Sequence, residues 1–165
     1  MTTPLPASRS LPRAWLAALA LALAAVALAA LPPFVGTGLR GVLMALFDPL
    51  CHQLPSRSFH VGGVPFALCH RCFGIAAGLA AGLALAPLVR HRLPAVNGAD
   101  GLLWIALGAL PIGLDWGLEA LGLWANTPGS RLLSGASFGL VAGVVIAHTL
   151  MTPRPTVAPA VPPAG

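Results

Sequence analysis

The chain has no lysine, and only four of its 165 residues are acidic. Charged side chains make up 8% of it and hydrophobic ones 57%, against about 25% charged in an average soluble domain. That shortage excludes a soluble globular fold. The net charge of +5 rests on arginine alone. No basic run carries interleaved aromatics, so nucleic acid is not an expected partner. In so apolar a chain the arginines point instead to membrane topology and anionic headgroups. A nucleophile–base–orienter set, a phosphate-cradling loop and a nucleotide motif are also missing, so no reaction is assigned. Three cysteines are present. That is one short of an iron–sulfur set, and the CxxCH haem signature is lacking.

What the chain does have is long apolar runs. They predict an all-α integral membrane protein, a small four-helix bundle with spans at about residues 14–34, 69–89, 101–123 and 131–151, each near the 20 or so residues that cross a bilayer. The first run competes with a signal peptide, since Arg9 and Arg13 precede it. Its apolar core exceeds the usual ~7–15 residues, which favours a retained anchor stopped by Pro32 and Pro33. Residues 38–50 are apolar but too short to span, and read as an interfacial or re-entrant helix. Pro111 is expected to kink the third span. Residues 1–12 and the Pro/Ala-rich residues 152–165 read as a disordered head and tail around a membrane domain over 13–151.

Arginine counts orient the chain. With the N-terminus inside, Arg9, Arg13, Arg90, Arg92 and Arg154 are inner and Arg40, Arg57, Arg71 and Arg131 outer. This small bias predicts a multi-pass protein of the cell membrane with cytoplasmic termini and an outward Cys-rich loop. Whatever the orientation, four spans put the Cys51–Cys72 loop and the Asn126–Arg131 turn on one face. Asp115 and Glu119 then lie roughly 6–12 Å below that face at about 1.5 Å per residue.

The loop between spans one and two concentrates the chemistry. Its cysteines read C-x17-C-x2-C, with His52 beside Cys51 and His70 inside the Cys69–Cys72 pair. Three thiolates plus an imidazole complete a tetrahedral Cys3His zinc site; iron is the less suited metal. A structural disulfide from Cys51 to Cys69 or Cys72, and a redox-active CxxC, are the other readings. Asp115 and Glu119, four apart, share a helix face. Such intramembrane acids read first as ion-pair partners of Arg71 or Arg131 and second as a proton or cation relay. Arg71-Gly74-Gly78-Gly82 and Arg131-Gly135-Gly139-Gly143 form two Gly stripes, each headed by an arginine, on spans two and four. Small residues at that spacing predict that the two spans pack on the stripes. His60, His91 and His148 receive no role.

Taken together, Cys51-His52-Gln53, Arg57-Ser58-Phe59, Cys69-x-Arg71-Cys72-x-Gly74 with Gly78, then Pro111, Asp115, Asn126 and Arg131-x-x-Ser134-Gly135 resemble the DUF2085 family of predicted membrane proteins. The resemblance covers roughly residues 45–145 and implies a membrane fold and a site, with no particular activity. Two positions depart from the pattern. Glu119 stands where glutamine is usual, and Ser134 where threonine is usual. An amide carries neither proton nor charge, so neither a relay nor neutralisation is implied for Glu119. His70 fills a variable slot, which makes His52 the better fourth ligand. The leading expectation is a non-enzymatic membrane protein whose cluster binds a metal ion or anionic ligand. The alternatives are a thiol–disulfide redox protein and a small transporter or channel subunit, which four spans would require to be a homo-oligomer.

Overall fold

The computed structural model describes residues 12–89 and 98–152. Of the head expected over 1–12 and the tail expected over 152–165, residues 1–11 and 153–165 lie outside the described residues, as do Arg90, His91 and Arg92. In chain order the helices are α1 (Arg13–Ala30), α2 (Thr37–Phe47), α3 (His70–Val89), α4 (Gly98–Ala120) and α5 (Pro128–Met151). Four of them, all but α2, are long and apolar enough to cross a membrane. At 11 residues, α2 is ~16 Å long, about half the ~30 Å hydrocarbon core. A two-stranded hairpin, β1 (Ser58–Val61) and β2 (Val64–Cys69), stands between α2 and α3. The sequence pattern there predicts a loop, and the structure has a hairpin instead.

Each boundary has a local cause. Pro32 and Pro33 offer no N–H, so α1 gives way to a single 3-10 turn over Pro32–Phe34. Arg40 of α2 then donates through Nε to the Pro32 carbonyl at 3.1 Å and through Nη2 to that of Val35 at 3.2 Å. This folds α2 back onto the end of α1. At the start of α5, Thr127 and Ser130 form a reciprocal capping box with Pro128 at the first helical position. Inside α3, Pro87 cannot donate to the carbonyl four residues earlier, that of Leu83. Trp15 Nε1 of α1 fills this vacancy at 2.9 Å, as membrane helices that contain proline require. α4 continues as one helix through Pro111.

The bundle is organised on α3 and α5, which run parallel, backbone against backbone. A methyl group added at Gly74, Gly78 or Gly82 would overlap the carbonyl of Leu132, Ala136 or Leu140, respectively. Reciprocally, one at Gly135, Gly139 or Gly143 would overlap the carbonyl of Arg71, Ile75 or Leu79. Without lipid-excluding hydrophobic force between helices, such close approach is the main source of van der Waals gain. α1 packs antiparallel on α3, and α4 lies outside α5 with Gly108 seated on Val141. Leucines and tryptophans of α4 such as Leu102, Leu110, Leu114 and Trp116 are exposed, the surface lipid covers. Two apolar clusters result. One joins Trp15, Ala22, Ala80, Leu83, Ala86 and Ala147. The other, at the opposite end, joins Ala29, Phe47, Cys51, Ala67 and Leu68 with Cys69, Cys72 and Phe73 against them.

Candidate metal centre

The hairpin brings the cysteines together. Gly62 and Gly63 both have positive φ, 57° and 77°, the requirement of a tight two-residue hairpin turn. The register pairs Val61 with Val64, His60 with Pro65 and, after an irregularity, Ser58 with Cys69. Cys69 therefore ends a strand where α3 begins, and Cys72 follows in the first helical turn. Phe59, Phe66 and Phe73 stack with ring centroids 5.6–5.8 Å apart, locking the hairpin on α3. His70 packs edge-on against Phe59 at 4.5 Å and is buried. Cys51 arrives from the end of α2, where Gln53 adopts φ 48°, a conformation unfavourable for a side-chain-bearing residue. Its Nε2 donates to the Met44 carbonyl at 2.7 Å, which holds the bend.

The three sulfurs lie within 4.8 Å of one another, with Cys51 buried and Cys69 and Cys72 half-buried. None is in a disulfide. Zn–S bonds of about 2.3 Å in a tetrahedron need sulfurs about 3.8 Å apart. Small side-chain rotations cover that difference. The Cys69 backbone N–H donates to Cys51 Sγ at 3.3 Å. Cys69 sits at the N-terminus of α3, where the Cys72 thiol is the strongest donor to its sulfur, helped by the Cys72 and Arg71 N–H groups and Cys51. Against the opposing effect of burial, these lower its pKa, which favours the thiolate. A cavity of about 160 Å³ opens beside the sulfurs, walled by Leu50 and Leu54 and, on its polar side, by His52, Gln53 and Arg57.

His52, the expected fourth ligand, lines this cavity but stands outside the three-sulfur set and is exposed. Its neighbour Cys51 points into the core, and adjacent residues reach one ion only through an unusual backbone. Gln53 and the phenylalanine cluster were not singled out in the sequence for these roles. The Cys51-His52-Gln53 run was the available signal for Gln53.

Beneath the sulfurs, α3, α4 and α5 share a polar network. Arg71 Nη2 donates to Asp115 Oδ2 at 2.5 Å, with Asp115 buried and only 20% of the Arg71 side chain exposed. Arg131 Nη2 donates to Glu119 Oε1 at 3.1 Å. Asn126 Nδ2 joins the pairs, donating to Glu119 Oε2 at 2.7 Å and lying 3.3 Å from the Asp115 carbonyl. Each arginine at the head of a glycine stripe thus meets one carboxylate of α4. Arg57 makes no side-chain hydrogen bond or ion pair among the described residues and is exposed. His60 is exposed with Nδ1 2.9 Å from the Ser58 carbonyl. His148, near the far end of α5, is half-buried and joins none of these groups.

The family model for predicted membrane proteins called DUF2085 matches residues 51–145. The matched stretch runs from the first cysteine through the glycine seam of α5. The chain belongs to the DUF2085 family. The family match therefore takes in all three cysteines, the hairpin and both arginine–carboxylate pairs, and leaves out α1 and α2. An uncharacterised protein of the archaeon Methanocaldococcus jannaschii is 28% identical over 97 residues, 56% of this chain and 58% of the relative. The match thus spans little more than half the length of that relative. No solved structure matches.

Proposed function

We propose that this DUF2085 protein binds a metal ion, zinc before iron, through Cys51, Cys69 and Cys72 at one face of the membrane. The convergence of all the chain's cysteines, from two segments 18 residues apart, to within 4.8 Å carries the reading. Thiolates are the ligands of zinc and other soft ions. The lowered pKa of Cys69 favours the deprotonated form that metal binding requires. This face is the outer one. The arginine count, five on the inner side against four on this one, favours that orientation.

The thiol–disulfide reading is favoured by the lowered pKa of Cys69 beside Cys72. Zinc analysis and thiol counting on the same detergent-purified sample separate the two. The metal reading expects about one zinc per chain, thiols that resist alkylation until a chelator is added, and loss of zinc in Cys69→Ser. A metal-free protein with one free thiol, rising to three on reduction, contradicts it. The reduction potential would then distinguish a staple from a redox pair.

A further inference from the structure

Among the described residues, no fourth sulfur, imidazole or carboxylate lies within 4.8 Å of all three sulfurs. The cavity of about 160 Å³ is bordered by Cys51, Cys69 and Cys72 together, so it reaches the position a fourth ligand would occupy. Structural zinc sites take four protein ligands, whereas sites that handle an exogenous ligand keep three and leave one position open. Building on the metal reading above, we infer that this centre is of the open kind, and that a small anion with a soft donor atom completes the coordination inside the cavity beside Arg57.

Charge and size select that ligand class. Three thiolates on a divalent ion leave one net negative charge, and a further anion is accepted only where a cation offsets it. Arg57 stands in the cavity wall without a side-chain partner among the described residues. Leu50 and Leu54 form the apolar part of the wall. Both leucines are exposed, so the cavity is open to an anion arriving from water. At about 160 Å³ the space is well below the ~300–1,000 Å³ of pockets for drug-sized molecules. It takes a ligand of a few heavy atoms, not a nucleotide or a lipid tail. A soft donor such as sulfur matches a metal already held by thiolates.

The test uses the full-length protein loaded with Co²⁺, whose thiolate charge-transfer and d–d bands report the ligand set, titrated with thiocyanate. Saturable changes in the d–d bands are expected, with the charge-transfer bands retained. Arg57→Ala should weaken thiocyanate binding about tenfold, the scale of one charge-assisted contact, and Arg57→Lys should restore part of it. Both side chains are exposed, so Arg57→Ala and His52→Ala should leave the Co²⁺ site intact. Bands that ignore thiocyanate, or a ligand field altered by His52→Ala, would show a closed site and overturn this inference while leaving the metal reading standing. Equal thiocyanate affinity in Arg57→Ala would also overturn it. Absence of any thiolate-to-cobalt band removes both.

Discussion

Replacing Gly78 with alanine is expected to cost about 3 kcal/mol or more of stability, the upper end for overpacking. The added methyl would meet the carbonyl, carbonyl carbon and Cα of Ala136. None of these is the end of a flexible side chain, so relief requires α3 and α5 to part along the whole seam. Gly139→Ala should behave alike, because its methyl would strike the Ile75 carbonyl and the Leu79 nitrogen. Gly113 is the internal control. It lies on α4 with nothing within 4 Å of an added Cβ, and alanine has the better helix propensity by up to about 1 kcal/mol. Denaturation in detergent should therefore rank Gly113→Ala at or above the parent protein and the two seam variants far below it. Equal stability of all three would mean that the seam does not hold the bundle together.

Asp115→Ala is the second large effect, a loss of about 3 kcal/mol, the lower end for breaking a buried pair. Its carboxylate is buried and bonded to Arg71, so truncation strands a guanidinium in the membrane half of the bundle. The cost belongs to the orphaned charge more than to the pair itself. Replacing both members by apolar residues, as in Arg71→Met with Asp115→Leu, should accordingly recover most of the loss. A double variant no better than the single one would place the cost elsewhere. Glu119→Gln should cost less than Asp115→Ala in the same assay. The glutamine oxygen still accepts from Arg131 and the glutamate side is 30% exposed, though Arg131 loses its counter-charge and Asn126 must turn its amide to meet the new donor.

The contrast between these two acids shows what the sequence made legible. Four apolar runs were sufficient for four spans, because bilayer thickness fixes their length. The i, i+4 spacing placed Asp115 and Glu119 on one face, and it aligned each arginine with its glycines. Span topology then made α3 and α5 parallel, and the glycine stripes named their contact. The loop was harder to read. Gly62-Gly63 between two short apolar segments is a hairpin signal, masked by Pro65 in the second strand. In a two-stranded ribbon both strands are edges, so proline is tolerated there. The approach of Cys51 to Cys69, 18 residues away, depends on the fold-back of α2 and the left-handed Gln53. Nothing in local pattern announces either feature. For the same reason His52, adjacent to Cys51 in sequence, looked like a fourth ligand while the structure stations it on the cavity wall.

X-ray absorption at the zinc edge of the purified, metal-loaded protein tests the central claim most directly. The account predicts a shell of about three sulfur scatterers near 2.3 Å and one lighter or exogenous scatterer, with the sulfur shell lost in Cys69→Ser. A zinc spectrum with no sulfur shell, or one unchanged by Cys69→Ser, would contradict it.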